Sequence, residues 1–242
     1  MTTFYTVTPA PAGPYVIRDF LIRGETQPFV LFHDSDDLSC TDRVRWLSSA
    51  INNGDLDLVG SHELRLDEMR RQIIAVRYPL DVIRALGSGS THPQLHPSTM
   101  LRRDAYSRIG GFSTFTVFGA DTQFLLRAYF RARIRNVDEF LYIRRRHTDA
   151  LTMRPDTGYG TPARLSVEAP WRADFKMILS GGKRLEDSSL LPRTTLQRHE
   201  ICEVRVESPL TVDNVRAPSE SGGIRSLTGQ TLPTPSWLKR EE

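Results

Sequence analysis

The sequence predicts an α/β fold, an open and mostly parallel sheet flanked by helices. Two observations carry this. Up to about residue 186, short β-rich apolar runs alternate with stretches whose apolar residues recur at helical spacing. One of those runs, Gln27 to His33, ends abruptly in Asp34-Ser35-Asp36-Asp37, as a buried strand does when it delivers acidic residues to a sheet edge.

Taken in order, residues 1–14 hold three prolines and a glycine and read as an irregular lead-in to a helix over Tyr15 to Arg23. After the Gln27 to His33 strand, a helical pattern starts at Thr41 and runs through Val44, Leu47, Ala50 and Ile51, with Trp46 at core spacing. Asn52-Asn53-Gly54 closes it, the ending expected where a left-handed residue stops a helix. Leu56 to Ser61 and Arg71 to Tyr78 read as strands, and Pro79 opens a short helix to Leu86. Gly87-Ser88-Gly89-Ser90 is a loop, Pro97 to Arg102 is extended, and Asp104 to Ile109 makes a helical turn broken by Gly110-Gly111-Phe112. A helix follows from Asp121 to Arg131 with Phe124, Leu125, Ala128 and Tyr129 as its buried stripe, then short strands over Ile134 to Val137 and Phe140 to Arg144. The domain is expected to span 1–186. Residues 187–242 are dense in Pro, Ser, Thr and Gly and read as a largely irregular tail, to which Ile201 to Val206 adds a strand.

Composition narrows the function classes. The 242 residues carry a net charge of only +3, with 39% hydrophobic content, enough for a packed core. No apolar run approaches the roughly 20 residues of a membrane-spanning helix. The N-terminus has neither a basic nor an apolar leader region, so the expectation is a cytoplasmic protein, peripheral attachment to a membrane remaining compatible. Cys40 and Cys202 lie far apart, which suggests neither a disulfide framework nor a zinc site. Arginine runs such as Arg102-Arg103 and Arg144-Arg145-Arg146 suit phosphate oxygens. They are not interleaved with aromatics on one element, which argues against a nucleic-acid binder.

The acidic strand end is the chemical signal. In an extended chain residues i and i+2 project the same way, so Asp34 and Asp36 converge while Asp37 turns with the loop. Clustered carboxylates repel unless a cation compensates them, and a hard divalent ion with oxygen ligands, Mn²⁺ or Mg²⁺, is the natural partner. The alternative is an acidic turn that caps the helix beginning near Thr41.

The segment from Phe29 through His33 to Asp37 resembles the DxD-bearing strand end of family 2 glycosyltransferases. Gly13-Pro14-Tyr15-Val16-Ile17-Arg18-Asp19 resembles the helix that precedes it there, with Asp19 in place of the usual Asn. Downstream, His96-Pro97-Ser98-Thr99-Met100-Leu101-Arg102-Arg103, Ile109-Gly110-Gly111-Phe112, Gly119-Ala120-Asp121 with Arg127, and Tyr142-Ile143-Arg144-Arg145-Arg146-His147 followed by Thr148 to Thr152 resemble the family's acceptor-side half in content and order. The resemblance covers residues 13–155 or so.

It implies a GT-A fold and a metal-dependent, inverting transfer of a sugar from a nucleotide-sugar donor, a UDP-sugar by the family's habit, to a hydroxyl of a carbohydrate or lipid-linked acceptor in surface polysaccharide or glycoconjugate synthesis. Arg18, Asp34, Asp36, Asp37, Arg144 and Arg145 would bind donor. Asp36, Asp37 and His147 would hold the metal, although His147 also reads as part of a solvated charge run. Asp121 falls on the catalytic-base position, although an acidic residue at a helix N-terminus is also stabilised by the helix dipole. His96 and Ser98 would line the acceptor side, although a loop explains them equally well. The family's first nucleotide-binding strands have no counterpart ahead of Arg18. This leads to the expectation of a free sheet edge, covered by a protein partner or by the N-terminal segment. Two other readings remain: a non-catalytic accessory domain of the same fold, and a haloacid-dehalogenase-like phosphatase using Asp34 and Asp36, against which Asp37-Leu38 stands where Gly-Thr is expected.

Overall fold

The computed structural model describes residues 3–7, 13–148, 150–194 and 202–206. In chain order its elements are β1 (Thr3–Val7), α1 (Pro14–Gly24), β2 (Phe29–Leu31), β3 (Leu38–Ser39), α2 (Arg43–Asn53), β4 (Leu58–Asp67), β5 (Gln72–Val76), α3 (Val82–Gly87), β6 (Met100–Arg102), α4 (Arg103–Ile109), α5 (Ala120–Ala128), β7 (Ile134–Arg146), α6 (Pro162–Leu179) and β8 (Cys202–Val206). Apart from β8 and residues 187–194, the tail expected over 187–242 lies outside the described residues.

The fold is mixed α/β, a six-stranded sheet flanked by helices. Its path runs β2-β6-β4-β7-β3, and β5 pairs with the C-terminal half of β4. The expectation of a mostly parallel sheet is corrected, because among the described residues β4 with β7 is the single parallel pairing and every other ladder is antiparallel. Alternation splits the core between two faces. Leu58 and Leu101 join α1, α3, α4, α5 and α6 on one side, while Val59 and Met100 meet Leu47 and Ile51 of α2 on the other. Among the described residues β2 has a strand partner on one edge only, β6.

Four local readings change. Strand β4 runs on to Asp67 because His62, Glu63 and Asp67 are buried polar residues with partners, a pattern that hydrophobic periodicity does not register. The two short strands expected after residue 134 are one continuous strand, β7. Helix α6 went unforeseen; Pro170 interrupts its pattern, although Pro162 in its first turn and the Thr161 cap on Arg164 N–H are ordinary start signals. At the end of α2, Gly54 keeps φ −93° and Asp55 carries the positive φ of 46° instead. Trp46, expected in the core, is 42% exposed on the outer face of α2.

A fully buried arginine ties the chain at Ile109 to Gly111 and at Leu190 to α5. Arg127 donates through Nε to Ile109 O at 2.6 Å, through Nη1 to Leu190 O at 2.5 Å and through Nη2 to Gly111 O, so one guanidinium satisfies three backbone carbonyls. Burial pulls its pKa down to about 10, which leaves it charged at neutral pH. Replacing Arg127 by Leu strands those carbonyls and is expected to cost about 3 kcal/mol or more, read as a fall in the urea midpoint at unchanged m-value. A loss under about 1 kcal/mol would contradict this role.

Candidate active site

Strand β2 stops at Leu31, and Phe32 N–H is then carried by Thr99 O at 3.0 Å. A tight turn follows, closed by Asp37 N–H donating to Asp34 O at 3.2 Å. The expected extended projection of Asp34 and Asp36 therefore does not form. The turn aims Asp37 inward, where it is 5% exposed, and leaves the side chains of Asp34 and Asp36 at 39% and 41%. None of the three caps α2, whose N-cap is Asp42, so the capping alternative fails.

The turn is held from β7. The Tyr142 hydroxyl donates to Asp37 Oδ2 at 2.7 Å and accepts Asp34 N–H at 3.2 Å, and Arg145 N–H donates to Asp37 Oδ1 at 2.8 Å. Burial pushes the Asp37 carboxyl up to about 7; the two donors pull against it, while Asp34 and Asp36 add to it. Beneath Tyr142 lies Arg43, fully buried, its guanidinium carbon 4.7 Å from the ring centroid. Arg43 Nη2 donates at 2.7 Å to both Phe32 O and Pro97 O, joining the end of β2 to the loop that carries His96. Burial lowers its pKa to about 10, so it remains a cation.

Arginines and a histidine surround the turn. Arg18 of α1 bonds Asp34 Oδ1 at 2.5 Å. Arg145 bonds Glu68 at 2.6 Å and reaches Asp36 O at 3.3 Å, and His147 Nε2 lies 2.8 Å from Asp36 Oδ2. Arg144 reaches Thr152 Oγ1 at 3.5 Å.

Asp121 stands in the first turn of α5, after Gly119 at φ 75°. Its Oδ1 accepts the Tyr15 hydroxyl of α1 at 2.7 Å. Burial would raise the carboxyl, but His96, the Tyr15 hydroxyl, His92 and the Thr122 backbone N–H hold it below the ordinary carboxylate range. His96 is itself neutral near pH 7, since burial and Arg18 push it down to about 3. At that pH the donors from Tyr15 and Thr122 therefore sustain the charge of Asp121. His96 packs against Phe32 with ring centroids 4.2 Å apart and planes tilted by 43°, and among the described residues its buried Nε2 has no hydrogen-bond partner.

A cavity of about 580 Å³ brings these parts together: Arg18, Asp34, Asp36, Asp37, His96, Asp121, Arg144 and Arg145 all line it. Ser98 does not. It is fully buried, donating to Leu95 O at 2.8 Å and accepting Ser61 N–H at 3.3 Å, so the acceptor-side expectation for Ser98 is corrected to a structural clamp. For a divalent cation, Asp36 and His147 meet, but Asp37 has both oxygens engaged. Among the described residues no three His, Cys, Asp or Glu side chains converge as a metal site. The expected trio of Asp36, Asp37 and His147 is thus a pair with a buried neighbour. Such a pair suits an ion that draws its remaining ligands from substrate phosphates and water.

Sequence reasoning missed Tyr15, Tyr142 and Arg43 as parts of the site. Tyr142 opens the arginine run and Tyr15 precedes Arg18 by three residues, so each sat inside a recognised motif without a role.

No family model matches the sequence, and no curated protein does. Among solved structures, the chain is similar to S. aureus TarS 1–349 in complex with UDP-GlcNAc, at 16% identity and a TM-score of 0.49, over 74% of this chain and 48% of that one. It is also similar to S. aureus TarS 1–349 in complex with UDP, at 16% identity and a TM-score of 0.44, over 73% and 56% of the two chains. The chain thus spans about half the length of the structures it matches.

If the Tyr142 hydroxyl holds the acidic turn, Tyr142→Phe removes one donor and one acceptor from a buried carboxylate and amide. The expected loss is about 1–3 kcal/mol in chemical denaturation, with the far-UV spectrum unchanged. A variant as stable as the parent would mean that the turn is held elsewhere.

Proposed function

We propose that this chain is a glycosyltransferase acting on a nucleotide-sugar donor, with Asp121 as general base. One observation supports it above the rest: a single cavity is lined both by Arg18 and the Asp34 to Asp37 turn and by the half-buried Asp121 carboxylate, one oxygen of which is tied to Tyr15. Anion-binding and base chemistry then flank the space in which a donor's anomeric carbon and an acceptor hydroxyl would meet.

In this reading the donor is a UDP-sugar whose diphosphate is received by Arg18, Arg144 and Arg145, with Asp34 and Asp37 setting the geometry of the turn. Asp36 and His147 would hold Mn²⁺ or Mg²⁺, which supplies charge neutralisation at the leaving diphosphate. Asp121 takes the proton of the acceptor hydroxyl as that oxygen bonds to the anomeric carbon. The bond from that carbon to the diphosphate oxygen breaks on the opposite side, inverting the centre and releasing UDP. The Tyr15 hydrogen bond fixes the rotamer of Asp121 and favours its ionised form. The neutral, half-buried ring of His96, packed against Phe32, walls the cavity beside the base.

The test is Asp121→Asn, which keeps the size of the side chain and its ability to accept from Tyr15 but cannot take a proton. UDP release from a panel of UDP-sugars with sugar and polyol acceptors is expected to fall by about 10²–10⁴-fold, while UDP affinity changes less than about twofold. Release by the variant at the parent's rate would remove Asp121 from the reaction.

A further inference from the structure

Past Asp121 the cavity continues into a second lobe of about 380 Å³, walled by Arg65, Arg144, Arg146, Arg164 and Arg172 together with Asp121 and Glu168. Asp121, Arg144 and Arg164 belong to both lobes, so the second opens directly from the base. Its arginines come from two sources. Arg65 is the ladder partner of Arg144 across the parallel β4–β7 pairing, and Arg146 lies two residues further along β7, so the three share one face of the sheet. Arg164 and Arg172 stand two helical turns apart on α6.

The charges on this wall do not balance internally. Arg65 is bound by Glu63, Arg146 by Asp67 at 3.3 Å, and Arg164 and Arg172 share Glu168 at 3.3 and 3.2 Å. Arg144 forms no ion pair among the described residues; its guanidinium meets Thr152 Oγ1 and lies beside Tyr159. Five guanidinium groups thus share three bonded carboxylates around one cavity. Arg65 and Arg144 are like charges opposed in a ladder, and the buried Glu63 carboxylate that acts on both supplies one negative charge against two positive. The guanidinium fork matches the spacing of phosphate oxygens.

We propose that this lobe receives an oxyanion of the phosphate class carried by the acceptor, so that the acceptor is a phosphorylated carbohydrate or polyol whose free hydroxyl is presented to Asp121. The acceptor role rests on the glycosyltransferase reading; the anion site itself does not. Donor diphosphate and acceptor phosphate would then occupy opposite sides of the base, one by Arg18 and Arg145 and the other by Arg146 and Arg172.

The probe is inorganic phosphate, titrated calorimetrically into the full chain with and without saturating UDP and Mn²⁺, for the parent and an Arg146→Gln, Arg172→Gln double variant. Phosphate is expected to bind the parent whether or not UDP is present, and to bind the double variant about tenfold more weakly or worse, while UDP affinity is unchanged. No phosphate binding, displacement of phosphate by UDP, or an unaltered double variant would each overturn the proposal. Phosphate binding that persists where UDP fails to bind would defeat the glycosyltransferase reading and leave the oxyanion site standing. Should the double variant not fold, phenylglyoxal modification of the parent, mapped by peptide mass, gives the same answer. Protection of Arg146 and Arg172 by phosphate supports the lobe, and protection confined to Arg18 and Arg145, or none, rejects it.

Discussion

Three aspartates in four residues repel one another, and the site depends on how that repulsion is contained. The Tyr142 hydroxyl is the centre of the containment, bonded at once to the Asp34 amide and the Asp37 carboxylate. Its ring lies over the Arg43 guanidinium, which grips the backbone at Phe32 and Pro97. One stack of side chains therefore sets where β2 ends, where the His96 loop sits, and which way each aspartate points. With Asp37 committed to the interior, Asp34 and Asp36 are left half-exposed to meet Arg18 and His147.

The sheet serves this arrangement. Because β7 is a single strand from Ile134 to Arg146, its end brings Tyr142 against the acidic turn, Arg144 and Arg145 to the main cavity and Arg146 to the adjoining lobe, with His147 following against Asp36. The long parallel ladder with β4 braces that strand end, adding the Arg146 contact to Asp67. Helices α1 and α5 converge from the other side, where the Tyr15 to Asp121 bond joins them, and Arg127 anchors α5 to the loops behind it. The acidic turn and Asp121 are thus fixed to one frame, as the proposed transfer would require.

Much of this was legible in the sequence where chemistry and periodicity agreed. The apolar run ending in Asp34-Ser35-Asp36-Asp37, the helix carrying Arg18, and Asp121 opening a helix after Gly119 are each local patterns, and the structure brings all three to one cavity. What escaped depends on long-range pairing. The inward turn of Asp37 is dictated by Tyr142, 105 residues away, through antiparallel pairing of β3 with β7 that no local pattern encodes. The second half of β4 hid because its buried residues are polar and paired, and α6 because Pro170 breaks its pattern. Strand direction was misjudged for a similar reason: alternation of strands and helices suggests crossovers, but β6 returns antiparallel beside both β2 and β4.

The central claim is that the acidic turn and its arginines form a donor site, and calorimetric titration of UDP into the purified chain with and without Mn²⁺ tests it most directly, alongside an Asp36→Ala, Asp37→Ala double variant of verified fold. Saturable binding that requires both the metal and the two aspartates is the result this account predicts. A folded chain that binds no UDP, or binds it equally well without metal and without those carboxylates, would contradict it.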